Sequence, residues 1–218
     1  DQPLPAPDMP WALDMDITGI PAAYLRQAWR WESGFYRHPI NDREHIRDTN
    51  LRALFGAWQA MKQLPEYANA RLTHVAAIGG PRESRRLIGD VILDERDMLE
   101  QVDYPDGFVP VSWFLDRHFP APESLRIAPD DPFLSVARHK PGTDRDDRPR
   151  HSTPWYGIPY RCLYSRNISN LFMAGRNIST SYWALGAVRV MRTCGMMGEV
   201  VGRAAAICVA RDCLPRDV

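Results

Sequence analysis

The chain has 218 residues, 44% hydrophobic and 25% charged, with 27 Lys plus Arg balanced by 27 Asp plus Glu. This is the composition of a globular chain of one large or two small domains. A net charge of zero with neutral histidine excludes the global basic field of a nucleic-acid binder.

No apolar run long enough to span a bilayer is read from the sequence, so no membrane partner is expected. Cys162, Cys194, Cys208 and Cys213 form no C-x-x-C pair, which argues against a metal or redox motif, and no metal is expected. Lysine occurs only at Lys62 and Lys140. The excess of arginine reflects either the base composition of the gene or many bidentate anion contacts. The start, DQPLPAPDMPW, has neither Met nor a signal-peptide pattern. It is either a processed terminus or a fragment edge, which leaves the compartment open between cytoplasm and export.

Residues 1–19 are Pro-rich and predict an extended lead-in or linker. Pro21 suits the first turn of a short helix through about Gln27. Trp29, Trp31 and Phe35 alternate with Arg30, Glu32 and Gly34, a strand-like period with its aromatics on one face. That face is either a substrate-facing wall or a sheet core. From Asp42 to Leu64 the apolar positions Leu51, Leu54, Phe55, Trp58 and Met61 follow helical spacing, with Asn41 as N-cap and Pro65 as terminator. Leu72–Ile78 fits helix and strand equally.

Gly79-Gly80-Pro81 predicts a turn, and Arg82-Glu83-Ser84-Arg85-Arg86 crowds charge after it. The cluster is either a solvated face or, since Leu87 follows at once, a charged edge beside core. Asp90–Leu93 predicts a strand. Asp94 then caps a short helix, with Asp97 as capping-box partner. Asp103–Gly107 is a turn, and Phe108–Leu115 a strand that Pro110 confines to an edge or bulge. Asp116-Arg117-His118 ends that strand. His118 is either a proton shuttle or a hydrogen-bonded structural residue. Residues 119–154, with KPGTDRDDRPRH, predict a loop, and His139 and His151 flank that run without metal-ligand spacing. Trp155–Arg161 returns to aromatics, either as a cavity lining or as a loop packed inward.

The last stretch, Asn170–Arg211, organises the chain. Leu171–Ala174 predicts a buried strand, Gly175-Arg176-Asn177 a tight turn, and roughly Arg189–Arg211 a long apolar helix after a Ser/Thr-rich loop. Cys194 and Cys208 are expected to be buried thiols on it. Gly195, Gly198 and Gly202 each cost a helix interior about 1 kcal/mol relative to alanine. Such a helix implies a close neighbour. Strand, glycine turn and glycine-rich helix are the parts of a nucleotide-binding edge, where the N–H groups of Met191–Gly195 face an electron-rich ligand.

NLFMAGRNIS and ALGAVRVMRTCGMMGEVVGRAAA resemble the C-terminal signature of a family of FAD-dependent oxidoreductases with the two-domain architecture of glutathione reductase. The likeness extends to RWESGF, GGPRESRRLIGD and GIPYRCLY. It implies an FAD site formed by Arg82, Glu83, Ser84, Gly175, Arg176, Asn177, Ser179, Arg189, Met191, Arg192, Thr193, Cys194 and Gly195. Trp155 and Tyr156 would face substrate. His118, Tyr160 and Arg85 are the catalytic candidates, the first two as bases.

The family's N-terminal GxGxxG segment has no counterpart in these residues. The expected fold is therefore α/β: an α+β substrate-side region over 20–165, and the last strand and helix of a Rossmann-like FAD-binding domain over 166–218. FAD is expected only with a second polypeptide or an upstream domain supplying the rest of its site. The expected activity is oxidation of a polar small molecule, a sugar or another alcohol, by hydride transfer to flavin. The alternative is a non-catalytic binding module that keeps the fold without FAD.

Overall fold

The computed structural model describes residues 5, 8–18, 20, 22–82, 84–138 and 156–218. In chain order these hold α1 (Ala22–Arg26), α2 (Arg43–Met61), α3 (Glu95–Leu99), β1 (Val109–Val111), β2 (Arg117–Pro120), α4 (Pro122–Ile127), β3 (Ser135–Arg138), β4 (Tyr156–Ile158), α5 (Tyr182–Val188) and α6 (Met191–Arg211). Helix and strand are mixed, as an α/β class requires. The two sheets have two strands each, β1 with β4 and β2 with β3. The chain forms two compact units, residues 1–81 with 118–136, and residues 82–117 with 137–218. These divide the chain elsewhere than the expected boundary at 165, because residues 87–93 pair with 161–181.

The first unit is built on α2. Ala53 and Ala57 are buried, and Gly56 passes so close to the Leu13 carbonyl that a side chain there would collide with it. Phe133, Leu134 and Ala121 complete the core. The N-cap is Asp42 rather than Asn41, and its carboxylate accepts from the His38 amide at 2.8 Å instead of capping the helix. Lys62, only 8% exposed, follows the helix and donates to the carbonyls of Tyr67, Ala68 and Ala70. Asp131 takes a bidentate pair from Arg37 at 2.8 and 2.9 Å and His45 at 3.0 Å. The Arg37 hydrogen bonds hold its carboxyl below the usual range.

Two expectations fail in this unit. Trp29–Phe35 is not a strand: Ala28–Arg30 is a 3-10 turn, and only Trp31 bridges, to Leu134. Residues 119–138 are not a loop but carry α4, the rest of β2, and β3. Pro122 sits at the first turn of α4, where its missing N–H costs nothing.

In the second unit β1 and β4 pair antiparallel, with Val109 opposite Ile158, Pro110 opposite Gly157 and Val111 opposite Tyr156. Among the described residues β1 has no other strand partner, as an edge strand with a proline should. Asp94 accepts from the amides of Arg96 and Asp97, and Asp97 returns a bond to the Asp94 amide, the expected capping box. Asp90–Leu93 is not a strand: the backbone bends at Asp90 and Val91. It lies parallel to Ser179–Ser181, bridged at Leu93 and Thr180. Leu171–Ala174 likewise forms a single bridge, Phe172 to Tyr164, with the Met173 amide on the Leu163 carbonyl at 2.7 Å. Cys162 is buried, but Cys194 and Cys208 are only half-buried.

By length and composition alone α6 could cross a bilayer, contrary to the sequence reading. One such helix is weak grounds for a membrane span, and Thr193, Met197 and Ala204 of α6 are buried in the protein.

Asp90 ties the second unit together. Its carboxylate takes two bonds from Arg216 at 2.9 Å and one from the Tyr164 hydroxyl at 2.9 Å. The Arg216 bonds, more than the opposing desolvation, lower its pKa from 3.8. A depressed carboxyl contributes stability above the unfolded pKa and loses it as pH falls through the folded one. Asp90→Asn should therefore lower unfolding free energy by about 1 kcal/mol at neutral pH, a modest value because Arg216 is half exposed. The gap to wild type should close as pH drops below 3.8. Urea melts at pH 7 and pH 3 read it directly.

Candidate functional site

The site is built from backbone before side chains. Leu87 donates to the Asn177 carbonyl at 2.9 Å, Leu93 to the Ser179 carbonyl at 3.1 Å, and Ser181 back to the Leu93 carbonyl at 2.8 Å. Gly89 lets the same strip pass close to residues 161–164: an added Cβ would run into the Arg161 carbonyl oxygen and approach the Tyr164 carbonyl oxygen to 3.0 Å. The strip 87–93 therefore lies along 177–181, and Arg86 stands one residue from that ladder. Ser84 and Arg85 are exposed at its approach. Glu83 and Trp155 lie outside the described residues.

Gly175 follows with φ +95°, in the left-handed region that side-chain-bearing residues avoid. Among the described residues nothing lies within 4 Å of a Cβ added there, so backbone angle and not crowding selects glycine. The turn drops onto α6: the Gly175 amide donates to the Met197 sulfur at 3.3 Å. Arg176 stands close enough to Cys194 to draw its pKa down, against the larger upward push of desolvation.

α5, absent from the sequence reading, then sets the entry to α6. Ser181 caps it by accepting from the Ala184 amide at 3.2 Å, a signal legible as serine before an apolar run. Arg117 is buried and grips the start of α5, donating to the Tyr182 carbonyl at 3.0 Å with its guanidinium 3.1 Å from the Tyr182 ring centre. Arg189 closes α5 and reaches the Asp116 carbonyl at 3.4 Å.

α6 begins at Met191 with Val190 at its N-cap, no side-chain cap and no acidic residue in its first turn. The amides of Met191, Arg192 and Thr193 thus meet an unneutralised positive helix end. Arg189 Nε and Ser179 Oγ are buried without a hydrogen-bond partner among the described residues. Arg189 Nε, two residues before α6, is thus an orphaned donor beside an uncapped helix end, an arrangement that fits a polar, electron-rich ligand.

Tyr156 is 7% exposed and belongs to the core with Val111 and Ile158. Burial pushes its phenol up. Tyr160 packs on Ala204, thirteen residues from the first of α6 (191 to 204), or about 20 Å along its axis. Its hydroxyl donates to the Pro215 carbonyl at 2.7 Å, and burial raises its pKa. A phenol so held is a poor base. It lines a different cavity of about 610 Å³, with Phe108, Tyr164, Arg161, Ile207 and Arg216.

His118 is in the first unit. Its Nδ1 lies 2.7 Å from Glu32 and 3.3 Å from the Ser135 hydroxyl, with Trp29 edge-on at 5.4 Å. A carboxylate on Nδ1 fixes the tautomer that leaves Nε2 the basic nitrogen. Sequence reading missed Glu32 because strand alternation placed it among outward-facing residues.

A family model described as FAD dependent oxidoreductase matches residues 10–218. Comparison with curated proteins and with solved structures returns no match.

The two kinds of glycine separate experimentally. Gly175→Ala should destabilise the chain by about 1 kcal/mol or more, through its positive φ. Gly195→Ala should stabilise it by up to about 1 kcal/mol, since open space surrounds it on the helix. Equal effects in chemical denaturation would contradict this assignment.

Proposed function

The chain belongs to the family of FAD-dependent oxidoreductases, and on that premise we propose that its second unit carries the edge of a flavin site. The observation behind the reading is the uncapped start of α6, with the orphaned Arg189 Nε and Ser179 Oγ in the same unit. FAD, when bound, supplies the hydride acceptor. The chain supplies position and charge. The amides of Met191, Arg192 and Thr193 hold the electron-rich carbonyl edge of the pyrimidine ring, as a helix end holds any partial negative charge. Arg176, Arg189 and Arg192 keep that end positive. Gly175 lets the backbone take the positive φ of the turn there.

The substrate in this reading is a small polar molecule bearing an alcohol. The arginines at 82, 85 and 86, next to the ladder, supply donors for it. The architecture proposed is that of the glutathione reductase type, with the GxGxxG portion on a segment outside these residues, of the same or a second polypeptide. The bare face of α6 supports this. Met191 is 92% and Val209 86% exposed, and a Cβ at Gly195, Gly198 or Gly202 would meet nothing within 4 Å among the described residues. Glycines that weaken a helix without a close neighbour in the chain make sense if the neighbour is supplied from elsewhere.

Two variants of the complete protein test the reading. Arg189→Met should weaken FAD binding about tenfold, roughly 1.4 kcal/mol, and slow flavin bleaching by substrate. Gly198→Leu should leave the melting temperature of the present residues unchanged or higher and yet block assembly with the GxGxxG portion. Unchanged FAD affinity in the first would refute the cofactor edge. Normal assembly in the second would refute the proposed interface.

A further inference from the structure

The C-terminal end of α6 brings two thiols together. Asp212 closes the helix in the left-handed region, at φ 50° and ψ 51°, with its amide on the Cys208 carbonyl. The Cys213 amide turns back onto the same carbonyl at 3.0 Å. This is the Schellman arrangement, in which the third residue from the helix end and the second beyond it set their side chains against one another. That contact is ordinarily apolar; here it falls on Cys208 and Cys213, both half-buried and both reduced. The Cys213 sulfur acts directly on the Cys208 thiol, whose pKa is pushed up first by desolvation and then by this neighbour. The bonded amide and carbonyl join the two Cα atoms through three covalent bonds and a 3.0 Å contact. That reach suits the Cα separation of about 4.4–6.8 Å that a disulfide spans.

We propose that Cys208 and Cys213 form a dithiol site that a soluble disulfide oxidant, such as glutathione disulfide, closes to an intramolecular disulfide. Cys213, on the turn beyond the helix, attacks first. Its thiolate bonds to one sulfur of the oxidant and expels the other as a thiolate. Cys208 then gives its proton to solvent and attacks the Cys213 sulfur, and the second oxidant thiolate leaves. Two electrons pass from the protein to the oxidant, two protons leave the cysteines, and the oxidant ends as two thiols.

The bridge would fasten residues 213–218 to α6. That segment already accepts the Tyr160 hydroxyl at Pro215 and places Arg216 on Asp90. It also supplies Arg216 and Val218 to the wall of the 610 Å³ cavity. Oxidation would therefore fix one wall of that cavity in place.

The test is to incubate the complete protein with glutathione disulfide, alkylate, cleave with trypsin and read the peptides by mass spectrometry. Arg211 separates the two cysteines, so a bridge appears as two tryptic peptides joined. The expected result is that joined pair, with Cys162 and Cys194 still alkylated once the protein is denatured. Cys208→Ser should stop at a stable glutathione adduct on Cys213. Phenylarsine oxide, which grips two thiols, should bind wild type one to one and lose at least about tenfold in affinity in either single serine variant. Four thiols that all alkylate after oxidation, a wild-type adduct on Cys213 that never closes, or arsenical affinity unaffected by either substitution would each overturn the proposal.

Discussion

The second unit depends on one close approach of backbone to backbone. Leu87–Leu93 lies against Asn177–Ser181, with the Arg161 carbonyl accepting from the Asp90 amide at 3.1 Å on its other side. Gly89 permits the approach on that other side, since any side chain there would strike the Arg161 carbonyl. The strip has little regular strand, only the bridge from Leu93 to Thr180. Its stability comes from hydrogen bonds to two neighbours at once and from Leu93 and Ile178, both fully buried. Because the ladder fixes 177–181, it also fixes the Gly175 turn before it and Ser181, the cap of α5, after it.

From that anchor the chain builds a helix end with unused donors. Arg117 holds the first residue of α5, Arg189 closes α5, and α6 starts two residues later. Folding alone would favour an aspartate or serine at position 190, worth about 1 kcal/mol as a cap. Val190 stands there instead, and no acidic side chain occupies the first turn. The sequence gives up local stability at the place where a ligand could recover it. The same holds for Gly195, Gly198 and Gly202, which weaken α6 while facing open space. Both features make sense in a flavin-linked redox protein, where affinity for the cofactor and for the rest of its domain supplies what the isolated helix lacks.

Much of this was legible where the signal is local. The Asp94–Asp97 capping box and the turn at Gly175 are short-range patterns with the predicted form, and α2 is a helix as its spacing predicts, although its fully buried positions are Ala53, Gly56 and Ala57. Leu87, the residue after RESRR, meets Asn177 of GRNIS, a contact that no local pattern announces. The failures are long-range. Trp29–Phe35 has the period of a strand but finds one bridge partner, so turn geometry wins. Residues 119–138 look loop-like because Pro120, Pro122 and Pro132 break the pattern, yet Pro122 starts a helix. Tyr160 sits near the flavin signature in sequence, but α6 is about 30 Å long and Tyr160 packs toward its far end. The thiol pair at 208 and 213 stayed hidden because the chain reversal that joins the two depends on Asp212 adopting a left-handed conformation.

The central claim is that the first-turn amides of α6 are ligands for the cofactor. Amide hydrogen exchange at Met191, Arg192 and Thr193, measured in the complete protein with FAD and after its removal, addresses it most directly. These amides have no side-chain cap, and only the cofactor would protect them. The account predicts that exchange at these three positions slows markedly with FAD bound, while the interior of α6 near Met197 changes little. Equal exchange at the three amides with and without FAD, in protein shown to hold the cofactor, would contradict it.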